Sequence, residues 1–164
     1  MKQLREWVDP RFLYVKADPP HLFNLKQPFW QPYTRFVPAE GQIMVWFGNW
    51  YGDLLATAMH ASKPLDDTLF DEYVNNMRAF EQDLKNNNVD VLKVWFDLSW
   101  KSLQKRLDDM DPSEVHWHKL HGLDWRNKKQ YDTLQKLRTR FTDDWKSLMV
   151  KMKICVITIL HKRC

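Results

Sequence analysis

The side chains with the clearest capacity for chemistry are cations: Lys93 inside an apolar run, Lys101, Lys105 and Arg106 in one short stretch, and Arg126, Lys128 and Lys129 in another. Lysines and arginines grouped in this way can make charge-assisted hydrogen bonds to an anion, although a solvated helix face has the same pattern. Lys93 stands apart, because a charge within Leu92-Lys93-Val94-Trp95-Phe96 is costly to bury alone and is expected to meet an acid or reach a sheet edge. His116, His118 and His121 could offer imidazoles to a metal, but no cysteine or fixed acid joins them at zinc-like spacing. Asp108-Asp109-Met110-Asp111 could hold magnesium, yet a solvated turn after a helix explains it more simply. Ser99 shares no nucleophile motif with a histidine and reads as a helix cap. The nine tryptophans could stack bases, but most fall within apolar periodicity and read as core.

Positioning these groups requires strands that alternate with helices. The pattern predicts a strand over 12–15 after Asp9-Pro10, then a short helix over 28–36 with Pro28 in its first turn and a kink at Pro32. A five-residue apolar run over 43–47, after Gly41, reads as a buried strand and leads to a helix over 50–60. After Lys63-Pro64, residues 66–85 place Leu69, Phe70, Tyr73, Val74, Met77, Phe80 and Leu84 along one helical face. Asn86-Asn87-Asn88 ends that helix, a third strand covers 89–96, and Ser99 caps a helix over 100–108. A polar loop from Asp111-Pro112 leads to a charged helix over 124–144. This alternation predicts a parallel sheet with right-handed crossovers, whose strands present ligands at their carboxyl ends. At the end of the 43–47 strand, however, Phe47 and Gly48 supply neither a carboxylate nor a cation.

Composition sets the outer bounds. With 164 residues, 44% hydrophobic and 28% charged, the chain can enclose a core as one soluble domain. A net charge of +4 favours an anionic partner, but 21 acidic residues interspersed among 25 basic ones disfavour a nucleic-acid tail. Cys155 and Cys164 form no disulfide or metal framework, the amino end lacks the apolar segment of a signal peptide, and no run approaches the roughly 20 apolar residues needed to cross a bilayer. The expected location is the cytoplasm, with no membrane partner.

The order of landmarks resembles the polyphosphate kinase 2 family, and within it the degenerate amino-terminal copy of the two-domain polyphosphate:AMP phosphotransferases. The resemblance rests on Leu4-Arg5-Glu6-Trp7-Val8-Asp9-Pro10-Arg11, Pro28-Phe29-Trp30, Gly41 through Tyr51, Arg78-Ala79-Phe80-Glu81, Leu92 through Ser99, Gln104-Lys105-Arg106-Leu107, Asp111-Pro112, Trp117 and Trp125. It implies an α/β fold, a three-layer P-loop-kinase-like parallel sheet flanked by helices beneath a helical lid. It also implies phosphoryl transfer from inorganic polyphosphate to AMP or another nucleotide with Mg2+ as cofactor. Polyphosphate would then be the anion met by Lys93, Lys101, Lys105, Arg106, Arg126, Lys128 and Lys129.

Departures from the family pattern shape the expectation as strongly. None of the four glycines precedes Gly41, so the first strand and the glycine-rich phosphate loop of the family are expected to be missing. Phe47 and Gly48 stand where the family's catalytic copies carry an Asp-Arg pair, and these two positions read as a degenerate motif without catalytic residues. The expected division is a polyphosphate kinase 2-like domain over 1–145 and an atypical tail over 146–164. That tail holds the strand-like run Ile154-Cys155-Val156-Ile157-Thr158-Ile159-Leu160, which would either fill a vacant sheet edge or remain exposed. Two readings of function stay open: an active polyphosphate-dependent kinase, or a catalytically degenerate or fragmentary copy, a non-catalytic domain that supports a homologous catalytic partner or a second copy of itself.

Overall fold

The computed structural model describes residues 9–17, 27–48, 50–60, 65–110, 124–142, 146–149 and 155–163. Strand β1 (Leu13–Ala17) is followed by a single-turn helix α1 (Gln31–Thr34), then β2 (Ile43–Phe47), α2 (Trp50–His60) and α3 (Asp67–Asn86). Strand β3 (Val89–Asp97), helices α4 (Trp100–Asp108) and α5 (Lys128–Thr139), and strands β4 (Lys146–Met149) and β5 (Cys155–Lys162) complete the order. Residues 1–8, on which the missing-strand expectation rests, and His116, His118, His121, Asp111 and Trp117 lie outside the described residues.

Local chemistry explains the boundaries. Asp66 caps α3 by accepting a hydrogen bond from the Thr68 amide at 3.3 Å, and Ser99 caps α4 by accepting from the Ser102 amide at 3.2 Å. Asn127 caps α5 from its side-chain oxygen to two amides. Helix α3 ends as Asn88 enters the left-handed region at φ 62°, a conformation asparagine tolerates better than most residues. Pro32 sits near the start of α1, where a missing amide leaves no helical bond unmade, so it initiates the turn and does not kink a longer helix.

The sheet corrects the expectation of a wholly parallel array. Its order is β1-β2-β5-β3-β4. β1 runs parallel to β2, and β3 parallel to β4, whereas β5 lies antiparallel between β2 and β3. The sheet is therefore mixed, and the segment expected at a vacant edge occupies the interior. Chain length gives the reason: only five residues separate Met149 from Cys155, and a parallel return needs a crossover of about a dozen or more.

One sheet face carries the main core. Met44, Trp46, Val89, Trp95 and Leu160 pack against Trp50, Tyr51 and Leu54 of α2, Phe70, Val74 and Met77 of α3, and Leu134 of α5. Trp50 and Tyr51 are fully buried. Edge-to-face contacts link Tyr33 to Trp46 at 5.3 Å, Tyr33 to Trp50 at 5.5 Å and Trp50 to Phe80 at 5.5 Å between centroids, the geometry favoured by aromatic quadrupoles. Three of the nine tryptophans that sequence alone leaves as possible base platforms, Trp46, Trp50 and Trp95, are in this way committed to packing. No described helix is long and apolar enough to cross a membrane.

Candidate functional site

The carboxyl ends of β2 and β3 gather the polar groups. After Phe47, Gly48 turns the chain at φ 80°, in the left-handed region that a residue without Cβ enters freely, and α2 begins two residues later. Neither residue brings charge to this turn. The nearest acid along the chain is Asp53 on the first turn of α2, only 3% exposed, which accepts a short hydrogen bond from the buried Tyr33 hydroxyl. Lys16 approaches from β1, with its ammonium 4.1 Å from the Phe36 ring centroid and 5.7 Å from that of Trp46. Partial burial lowers the Lys16 pKa, Arg35 adds repulsion, and Asp53 opposes both.

Burial pushes the Tyr33 phenol well above its ordinary range, and the Asp53 charge and the bond to it act in the same direction. An unfolded tyrosine titrates near about pH 10, so this protonated, buried phenol contributes stability that is fully present below that pH and lost as pH rises beyond it. Tyr33→Phe is expected to flatten the alkaline arm of the stability profile. It should also cost about 1–3 kcal/mol at neutral pH, because Asp53 loses this donor. Urea melts at neutral pH and at increasingly alkaline pH check both effects; an unchanged alkaline slope would contradict the assignment.

At the end of β3, Asp97 accepts from Arg138 Nη1 at 2.5 Å and from Gln135 Nε2 at 3.1 Å, both on α5. The Tyr131 hydroxyl donates to the Leu98 carbonyl at 2.7 Å. Arg140 reaches back to Asp67 at 2.5 Å and Asp71 at 2.7 Å on α3, which ties the end of α5 to the start of that helix. Asp53 and Asp97 are thus each engaged by protein donors. No group of three or more histidine, cysteine, aspartate or glutamate side chains suited to a metal exists among the described residues.

The candidate anion contacts separate into distinct environments. Lys93 is buried and pairs with Glu81 Oε2 at 2.8 Å, while the Trp50 indole donates to the other Glu81 oxygen at 3.1 Å. It therefore does not join the solvent-facing set. Arg126 bonds to Asp108 at 2.8 Å and to the Leu107 carbonyl at 3.1 Å, and Lys128 pairs with Asp132. Lys101, Lys105 and Lys129 are exposed, Arg106 is half-buried, and Lys101 and Lys105 lie one turn apart on α4. Helix α5 runs antiparallel to α4, since Arg126 meets the end of α4 while Tyr131 meets Trp100 at its start. The candidate cations other than Lys93 thus sit on α4, on α5 and on the segment just before α5. A separate cleft of about 620 Å³ between α1 and the end of α3, walled by Trp30, Phe80, Asn76 and Asp83, lies toward the opposite end of β3.

Sequence reasoning missed Asp53, Tyr33 and Lys16, which carry no recognisable motif, but Glu81 left a signal. It continues the buried spacing of Phe70, Val74 and Met77 on α3, so an acid stands at an apolar position and faces the strand that contains a stray lysine.

Comparison with known proteins assigns this architecture. A family model described as "Polyphosphate kinase 2 (PPK2)" matches residues 1–146. A polyphosphate:AMP phosphotransferase of Acinetobacter johnsonii is 99% identical over 145 residues, covering 88% of this chain and 30% of that protein. One from Pseudomonas syringae pv. tomato is 32% identical over 133 residues, covering 80% and 26%, respectively. The solved structure of a putative polyphosphate kinase 2 from Pseudomonas aeruginosa superposes with a TM-score of 0.67 at 26% identity, covering 92% of this chain and 31% of that one. The chain spans about a third or less of the length of these relatives. On the extent of the family match and the shared fold, the chain belongs to the polyphosphate kinase 2 family.

Proposed function

We propose that this chain is a degenerate domain of a polyphosphate:AMP phosphotransferase, one that binds polyphosphate without transferring its phosphoryl group. The observation that carries this reading is the turn after β2, where half-buried Phe47 and positive-φ Gly48 stand shortly before the fully buried Trp50 and Tyr51. Phosphoryl transfer depends mainly on positioning and charge neutralisation, and the described residues of this turn, Phe47 and Gly48, carry no charged side chain for either task. The near identity to the Acinetobacter relative supports the substrate class. The P-loop-like character of the fold belongs to the same proposal.

Polyphosphate is a linear polyanion, and the exposed Lys101, Lys105 and Lys129 on α4 and α5 are its leading contacts, with Arg106, Arg126 and Lys128 beside them. Lys93 serves the core through Glu81. The alternative, a support domain for a catalytic partner without polyphosphate contact, draws on the ion pairs that already occupy Arg126 and Lys128. Calorimetric titration with polyphosphate, beside an assay of ADP formation from AMP with Mg2+, tests both. The expected result is salt-sensitive binding, weakened by the triple change Lys101→Gln, Lys105→Gln and Lys129→Gln, with no ADP formed. ADP formation would overturn the degenerate reading, and absence of binding would favour the support domain.

A further inference from the structure

Four of the five strands share one direction, and the lane between β2 and β3 is filled by the one strand that opposes them. Its walls, β2 and β3, lie within the family match of residues 1–146, whereas its occupant lies beyond it. On the β2 side the register runs from Ile43 opposite His161 to Phe47 opposite Ile157. On the other it runs from Val89 opposite Lys162 to Phe96 opposite Cys155. A strand bonded on both sides is held mainly through its amides and carbonyls, which are the same whichever chain supplies them. The run Val156-Ile157-Thr158-Ile159 is β-branched throughout and suits a pleated, enclosed position. Leu160 is 1% exposed within the main core, and beyond the strand Arg163 donates its amide to the Asn88 carbonyl at 2.8 Å and approaches Asp90 at 3.3 Å.

Leaving this lane empty would strip two facing strand edges of partners, so the occupant is needed. Yet it is joined to β4, on the far side of β3, through residues 150–154 alone. We propose that the lane between β2 and β3 is a strand-acceptor site that takes the 155–162 segment of a second copy of this chain as well as its own, producing strand-exchanged dimers. Exchange preserves every pairing in the lane and changes only which copy supplies the strand, the condition under which domain swapping costs little.

Two populations of the full chain, labelled at the amino terminus with donor and acceptor dyes, are unfolded and refolded together at low and at high concentration. Energy transfer in a dimer-sized fraction that grows with concentration is expected, and Ile159→Pro, which removes an interior ladder amide, should abolish it. Since that variant could fail to fold, a second chain carries a protease site in place of 150–154 and is cleaved after folding. It should retain its 155–164 fragment and exchange it for a fluorescent 155–164 peptide, but not for the proline-containing peptide. Monomers at every concentration, dimers that survive the proline change, or a cleaved chain that sheds its fragment at an unchanged melting midpoint would each overturn the proposal.

Discussion

Lys93→Met is expected to destabilise the domain by about 3–5 kcal/mol, because it leaves the Glu81 carboxylate buried without its cation. The two side chains are 8% and 6% exposed, and their atoms lie 2.8 Å apart. Glu81 then keeps the Trp50 indole as a donor, and one neutral donor offsets little of the cost of desolvating an anion. Lys93 also lies 5.4 Å from the Tyr51 ring centroid, so its removal opens space beside a fully buried aromatic. For a chain of this size the loss corresponds to roughly 10 °C in thermal midpoint. Adding Glu81→Gln to Lys93→Met should recover much of it, since the amide oxygen still accepts from Trp50 while no charge remains to be buried. A double-mutant cycle read by urea unfolding isolates the coupling. A single variant within about 1 kcal/mol of the parent would show that the pair is more hydrated than its burial indicates.

This pair also marks where sequence and structure meet. Lys93 could be read as a costly charge in need of an acid, but naming Glu81 required knowing that α3 lays that side chain against β3. Local elements were legible because their signals are local. The apolar run 43–47 forms β2, Ser99 caps α4, and the 70-74-77 spacing forms the buried face of α3. The expected 124–144 helix is shorter, Lys128–Thr139, since Asn127 provides a better cap than the preceding residues and the chain turns at Arg140. Strand direction was not legible for β5. Its residues announce a strand but not a neighbour, and orientation follows from the short link to β4 and the room between β2 and β3. The candidate site shows the same division. Sequence located the turn at Phe47-Gly48, whereas Tyr33, Asp53 and Lys16 come together there from three separate elements.

Placing the family's acid and cation at that turn, with Phe47→Asp and Gly48→Arg, is expected to lower stability by about 2–5 kcal/mol and to yield no ADP from AMP and polyphosphate. The two changes act through different physics. Gly48 has φ 80°, so a side chain there meets the steric penalty of the left-handed region, on the order of 1–2 kcal/mol. Phe47 ends β2 in register between Ala17 and Ile157, and an aspartate at this half-buried position gives up apolar packing and requires a hydrogen-bond partner, at about 1–3 kcal/mol. Activity should not follow even where the fold survives. Asp53 is already bonded to Tyr33 and Asp97 to Arg138, so a new carboxylate at this turn meets acids that protein donors already engage. Gly48→Ala alone separates the backbone cost from the charge: it should account for most of the glycine contribution while leaving the strand intact. The thermal midpoint and the ADP assay are read on the same preparations. A double variant that melts like the parent would remove the strain argument, and one that forms ADP would show that the rest of the site needs only these two side chains.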